Sequence, residues 1–237
     1  MQISYCKDYD AMCTEAASKL LGEIKRKPEL LLCTATGASP LGLYRRLDLP
    51  SPGHKEHPAR SFQRLRIIKL DEWIGVPANS EGTCELFLRK HLLNPLKIPE
   101  SNYIAFRPDA VHPDQECQRV QKLLDIQGPI DICILGMGKN GHIGFNEPGS
   151  PADSHCRVVR LSNSSQQHQM MQHMEQKPAY GMTLGISEIL SAKQIFLLVS
   201  GPGKKEARQQ LLSGQVTPQW PVTFLHHHQN VSCLIVQ

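Results

Sequence analysis

The sequence predicts an α/β fold: three layers around a mostly parallel, doubly wound (Rossmann-like) sheet, with residues 1–237 forming a single domain. Three observations carry that expectation. Short runs such as Ile130 to Leu135 are nearly continuous in apolar residues, the pattern of strands covered on both faces. These runs alternate with helical patterns, the order that parallel strands joined by crossover helices produce. Glycine-, serine- and proline-rich loops follow several of the runs, and in open α/β sheets such loops emerge at the edge that binds ligands.

Taken in order, Ala11 to Arg26 places Ala16, Leu20, Leu21 and Ile24 at helical spacing between charges, which predicts an amphipathic helix. Glu29 to Thr34 reads as a strand, followed by a loop and a helix from about Leu41. Leu65 to Leu70 is a second such run, with a helix around Cys84 to His91 behind it. Ile130 to Leu135 is a third. Gln194 to Ser200 leads through Gly-Pro-Gly into a helix from about Lys204 to Ser213, and Ser232 to Val236 forms the last strand. Pro50 to Arg60 is a turn-rich connection whose His54 and His57 are expected to be solvated. His226-His227-His228 reads as a polar strand end, because adjacent strand residues face opposite ways and cannot converge on one metal.

Composition narrows the function. A formal net charge of +4 with scattered basic residues favours a small anionic ligand over a nucleic acid, and sparse aromatics leave little for stacking on bases. No apolar run is long enough to span a bilayer and the first residues lack a signal-peptide pattern, so the expected location is the cytoplasm, with no membrane partner. The eight cysteines include no C-x-x-C pair, and Cys33 and Cys133 lie inside strand-like runs. They read as buried thiols of a reducing compartment, with no disulfide frame and no metal site.

The chemistry concentrates in Gly136-Met-Gly-Lys-Asn-Gly-His142-Ile-Gly-Phe-Asn-Glu147-Pro148, at the carboxyl end of the third strand. Its glycines could serve a convoluted connection and nothing more. His142 argues otherwise: a titratable imidazole between flexible residues has little apolar surface to pack on and suits proton transfer. Pro148 pushes Glu147 out of the helical region, so that carboxylate is held on extended backbone. Thr36-Gly37-Ala38-Ser39-Pro40 places small residues before a helix, where N–H groups and the helix dipole hold anions. Ser39 at the N-cap and Pro40 at the first helical position would give an ordinary capped end, compatible with that role. Lys204, opposing the dipole of its own helix, makes sense with a phosphate between them. In Leu70-Asp71-Glu72-Trp73 the neighbouring carboxylates diverge, so one enters the cleft. Asp71 is expected to be the buried one, and Glu72 to orient the surroundings or pair with a base; a solvated turn is the bland alternative.

Together, Thr36-Gly-Ala-Ser-Pro40, Leu70-Asp-Glu-Trp-Ile-Gly75, Gly136-x-Gly-x-x-Gly-His-Ile-Gly-Phe-Asn-Glu-Pro148 and Gly201-x-x-Lys204 resemble the glucosamine-6-phosphate deaminase/isomerase family, which shares its fold with 6-phosphogluconolactonases. The four motifs run in the family's order and cover nearly the whole chain; Phe145-Asn-Glu-Pro148 belongs to the aminosugar branch. The resemblance implies conversion of an aldohexosamine 6-phosphate to a ketohexose 6-phosphate and ammonia, without metal or organic cofactor. It implies that His142 assists ring opening, that Asp71 moves the C2 proton to C1, and that Glu147 supports His142. Thr36, Gly37, Ala38, Ser39 and Lys204 would hold the phosphate, with Glu72, Gly136 and Gly138 beside the substrate.

Three departures stand out. Asn140 replaces an aspartate of the glucosamine enzymes; an amide can accept a hydrogen bond from the imidazole but stabilises imidazolium less than a carboxylate does. Gln166 stands near the family's phosphate-binding arginine, a role that Arg157 or Arg160 would take over. The chain stops at its last strand, without the tail of the allosteric enzymes, so allosteric control by an aminosugar is not expected. The wording Lys139-Asn140-Gly-His142 is similar to the galactosamine-6-phosphate branch, which implies that substrate ahead of glucosamine 6-phosphate. Ser162 to Lys177, rich in Gln and His, reads equally as an exposed helix or a mobile lid. A lactonase-type hydrolase and a non-catalytic sugar-phosphate sensor are the competing readings.

Overall fold

The computed structural model describes residues 1–48, 62–77, 79–172, 174 and 177–237; the connection carrying His54 and His57, and His173 of the polar segment, lie outside them. Seven strands form one parallel sheet: β1 (Gln2–Cys6), β2 (Leu31–Thr34), β3 (Arg66–Lys69), β5 (Tyr103–Ile104), β6 (Ile132–Gly136), β9 (Gln194–Val199) and β10 (Val231–Val236). Their spatial order is β1-β10-β9-β6-β2-β3-β5. After β2 the chain builds outward through β3 and β5, then returns to lay β6 on the other side of β2. The loops leaving β2 and β6 therefore part at a topological switch point, the ligand crevice of such sheets.

Alternation along the central strands feeds two cores. Cys33, Cys133, Leu135, Ile195 and Leu197 pack on one face; Leu32, Ile132, Ile134, Phe196 and Leu198 on the other. Helices α1 (Tyr9–Arg26) and α2 (Ala38–Leu47) cover the second face with Met12, Ala16, Leu20, Leu43 and Tyr44. Helices α5 (Pro113–Gln127), α7 (Ile186–Leu190) and α8 (Lys205–Leu212) supply Val120, Ile189 and Leu211 to the first. Because both faces are covered, the strands read as unbroken apolar runs. The short α3 (Cys84–Leu88) passes through a π-helical turn, Arg89–Leu93, into α4 (Asn94–Leu96).

A second, antiparallel sheet was not anticipated. Asp71 to Trp73, expected as a loop, is β4, pairing with β8 (Tyr180–Thr183), which pairs in turn with β7 (Arg157–Arg160). Leu70 joins the two sheets: its N–H donates to Thr34 and its carbonyl accepts from Leu184. Asp71 thus begins a strand at the junction of two sheets, a stiffer mount than a turn.

Other expectations change as well. Gly37, at φ +97°, is the N-cap of α2, so Ser39 lies inside the first turn and is not the cap. The three histidines do not end a strand: His226 and His227 close a 3-10 helix, Pro221–His227, and the Nε2 atoms of His226 and His228 meet the carbonyl oxygens of Leu211 and Ala192 at 2.7 and 2.6 Å. Two carbonyl partners satisfy these rings where alternation would have left them in solvent. All eight cysteines are free thiols. No described helix is long and apolar enough to cross a membrane.

Candidate active site

A cavity of about 470 Å³ opens at the switch point, lined by Thr36, Gly37, Ala38 and Ser39 of the loop into α2 and by Asp71 of β4. Gly136 at the end of β6, Gly138, Lys139 and His142 from the loop after it, and Ser200 and Lys204 from the loop after β9 complete its walls. A second cavity, of about 530 Å³, lies elsewhere, against Arg89, Tyr103, Arg107 and Arg119. The smaller one is the site that the sheet topology and the acid–base groups share.

The anion end is built on the amino terminus of α2, where unpaired N–H groups and the helix dipole favour negative charge. Ser39 Oγ lies 3.1 Å from Ser200 Oγ and 3.4 Å from Lys204 Nζ. Lys204 caps α8 from outside the helix. Burial, then the neighbouring Lys139, pushes its ammonium down to about 8. An anion between these lysines and α2 would remove that strain.

His168, from the polar segment, closes this end. Its ring would stand 3.5 Å from a Cβ on Gly37, and burial, with His142 and Lys204, pulls its imidazole down to about 4. The segment itself is a short helix, α6 (Asn163–Gln166), then a 3-10 turn, Gln169–Met171, in which Ser165 and Met171 are buried. Gln167, His168, Gln169 and Gln172 line the cavity, so the segment is a wall of the site and not an exposed helix. Gln166 turns away and donates to Leu161 O.

The two carboxylates after β3 separate as strand alternation requires. Asp71 lines the cavity while nearly buried. Its carboxyl is pushed up to about 7, first by burial and then by Glu72, against the hydrogen bond from Cys84 and the charge of Lys69. Glu72 points the other way and does not line the cavity, contrary to its expected place beside the substrate. It accepts from the backbone N–H groups of Trp73, Cys84 and Glu85 at 2.9, 3.0 and 2.7 Å, and from Lys69 Nζ at 2.8 Å. Fully buried Lys69 also bonds Glu85 at 2.7 Å, and Glu85 accepts from Tyr103 and Arg89. Glu72 thus anchors α3 and pairs with a base.

On the facing loop, Gly138 is a packing requirement: a Cβ there would come within 2.3 Å of the His142 ring, which rests on the bare backbone. Glu147 Oε2 lies 3.6 Å from His142 Nδ1. Burial would raise that carboxyl, but His142, Ser165 and Asn140 outweigh it and hold it down at about 2. Glu147 also accepts from Ser162 N–H at 3.1 Å.

Asn140 does not bond the imidazole, as was expected of it. Its Nδ2 donates to Glu147 Oε2 at 2.9 Å and its Oδ1 accepts from the backbone N–H of His142 at 3.2 Å. It orients the carboxylate behind the ring. Arg157 and Arg160 do not line the cavity either. On β7, the Arg157 guanidinium donates to Ser150 Oγ and His155 O, and antiparallel pairing with β8 carries it away from α2. The cations at the anion end are Lys139 and Lys204, with His168 beside them as a neutral imidazole. No sequence signal marked Lys139 for this end: only the fold brings it against the loop carrying Gly203 and Lys204. Ser200 and Cys84 had none either, for the same reason.

Among the described residues no cluster of His, Cys, Asp and Glu is arranged to hold a metal ion.

Residues 7–234 match the family described as glucosamine-6-phosphate isomerases/6-phosphogluconolactonase. "Putative deaminase AgaI" of Escherichia coli (strain K12) is 39% identical over 97% of this chain and 89% of its own. The glucosamine-6-phosphate deaminase of Bacillus velezensis is 34% identical over 99% and 97%. The structure of a monomeric glucosamine-6-phosphate deaminase superposes with a TM-score of 0.92 at 33% identity, covering 100% of this chain and 98% of the other. A 6-phosphogluconolactonase from Thermotoga maritima, at 19% identity and a TM-score of 0.77 over 99% and 98%, shares the fold. The chain belongs to the glucosamine-6-phosphate isomerase/6-phosphogluconolactonase family.

Proposed function

We propose that this protein is an aminosugar-6-phosphate deaminase/isomerase that converts an aldohexosamine 6-phosphate and water to a ketohexose 6-phosphate and ammonia, with galactosamine 6-phosphate preferred and tagatose 6-phosphate its product. One observation carries the reading: the cavity holds a carboxyl group poised near neutrality, Asp71, apart from an imidazole backed by an ionised carboxylate, His142 with Glu147. An aldose–ketose rearrangement needs a base for the C2 proton and a separate group for ring opening, whereas lactone hydrolysis needs an activated water and no C2 base.

In this reading the 6-phosphate lies on the amino terminus of α2, held by Thr36, Gly37, Ala38, Ser39 and Lys204. His142 shuttles the proton between the C1 hydroxyl and the ring oxygen, which breaks the C1–O5 bond and frees the C1 carbonyl. Asp71 takes the proton from C2, giving an enolamine, and returns it to C1. The resulting C2 imine adds water and expels ammonia, leaving the ketone. Glu147 keeps His142 in place and balances its charge. The galactosamine preference rests on Asn140, which sets the loop carrying His142, and on the polar wall of Gln167, His168 and Gln169, whose donors and acceptors suit one orientation of the C4 hydroxyl.

Ammonia release measured with both C4 epimers tests this. Galactosamine 6-phosphate should give the higher kcat/KM by about tenfold, the scale of one net hydrogen bond. A preference for glucosamine 6-phosphate sinks the epimer assignment and leaves the deaminase. Hydrolysis of 6-phosphogluconolactone with no ammonia from either sugar overturns the deaminase.

A further inference from the structure

Asp71 has one side-chain partner among the described residues. Cys84 Sγ donates to its Oδ1 at 3.7 Å, a sulfur-length hydrogen bond, and Thr36 Oγ1 donates to the same sulfur at 3.3 Å. Cys84 is buried, does not line the cavity and bonds no other cysteine. Its place is fixed at both ends: α3 begins at this residue, and the Cys84 N–H is held by Glu72. A chain of donors thus runs from the anion loop through one thiol to one oxygen of the carboxylate, leaving Oδ2 without a side-chain partner among the described residues.

Resting on the deaminase reading, we propose that Cys84 is a positioning residue for Asp71: its S–H fixes which carboxylate oxygen meets the substrate and favours the ionised base. Two properties suit it to the task. Burial first, then the carboxylates of Glu72 and Asp71, hold the thiol well above its ordinary range, so it stays a donor across the working pH. A thiol is also a weak donor, able to orient a carboxylate without driving its proton affinity far down. The same thiol joins base and phosphate loop, because Thr36 can turn its hydroxyl to a bound anion only by releasing Cys84.

The titratable groups bearing on Asp71 are Lys69 and Glu72 beside it, Cys84 from α3, Cys33 from β2 and Tyr44 from α2. Of these only Cys84 hydrogen-bonds the carboxylate, so its removal has a signed effect. Losing a donor to the charged form raises the base's pKa and moves the acid limb of the rate profile to higher pH.

The test compares Cys84→Ala and Cys84→Ser with wild type, measuring ammonia release from each aminosugar 6-phosphate across pH 5.5 to 9. Cys84→Ala is expected to lose about 3- to 10-fold in kcat near pH 6, with KM little changed, and to recover toward wild type near pH 9 as its limb shifts by about half to one unit. Cys84→Ser, which keeps a donor, should keep the wild-type limb. An acid limb that stays put or falls in Cys84→Ala overturns the proposal, as does a Cys84→Ser profile that tracks Cys84→Ala. If Cys84→Ala fails to fold, the serine variant decides alone: a donor role holds its limb at or below that of wild type, and an upward shift overturns it. Wild type that releases no ammonia from either sugar overturns the deaminase reading and this inference with it; release by wild type with an unmoved limb removes only the role of Cys84.

Discussion

Two carboxylates serve one cavity and are held in opposite states. Asp71, on β4, is pushed up to about 7 by burial and by Glu72. Glu147, on the glycine loop, is held down at about 2 although burial opposes this. The difference lies in their neighbours. Asp71 has one thiol donor and a negative neighbour; Glu147 is surrounded by His142, Asn140 and the Ser162 N–H. A group that exchanges protons must sit near its working pH, while a group that steadies a cation must stay charged.

The same contrast gives opposite pH dependences of stability. Asp71 binds its proton more tightly folded than unfolded, so its contribution is present below its ordinary 3.8 and is lost as pH rises through about 7. Glu147 contributes above its ordinary 4.5 and loses that as pH falls through about 2.

The largest effect should come from Asp71→Asn. Without the C2 base, kcat/KM for ammonia release should drop by about 10³-fold or more. The variant should also lose the wild-type decline in stability between about pH 4 and 7, because the Asp71 carboxyl is no longer there to ionise. A loss under tenfold would transfer the C2 proton to another group.

Next comes Lys69→Met, which acts behind the Asp71 wall. Lys69 is fully buried between Glu72 and Glu85, and removing it takes away the cation they share, leaving buried Glu72 with backbone donors alone. A destabilisation of about 3–5 kcal/mol in urea unfolding is expected. The acid limb of any residual activity should rise, since Lys69 lowers the Asp71 pKa. Unfolding within about 1 kcal/mol of wild type would show that the network does not set this wall.

What was legible in the sequence follows the same division. The runs that became β2, β6 and β9 are nearly unbroken apolar residues because helices cover both faces, and the loops after them carry the anion and imidazole residues in chain order. The antiparallel sheet left no such trace. Arg157 to Arg160 is only partly covered, Tyr180 to Thr183 holds a glycine under Phe145, and Asp71-Glu72 looks acidic and turn-like until the opposing strand is present. Edge strand β1, Gln-Ile-Ser-Tyr-Cys, is too polar to stand out. At the site, local spacing revealed which residue types were present but not which way they point. The rotation of Glu72 toward Lys69, the turn of Asn140 toward Glu147 and the diversion of Arg157 to Ser150 all arise from tertiary packing.

Asn140→Asp is the smallest change and the most direct test of the comparison. The amide donates to Glu147 Oε2 at 2.9 Å, and an aspartate there cannot. It would instead put a second carboxylate against Glu147, and two such groups at that distance share a proton or strengthen each other's hold on a nearby cation. The loop would then titrate closer to Asp71. Any limb of the rate profile that follows Glu147 should move to higher pH by up to about one unit, with kcat/KM near neutrality changing less than about tenfold. Acid unfolding should begin at higher pH, because stabilisation by Glu147 would be lost nearer its ordinary 4.5 than the present 2. An unmoved rate profile and acid transition would mean that Asn140 only shapes the backbone at His142, leaving the low pKa of Glu147 to His142 and Ser165.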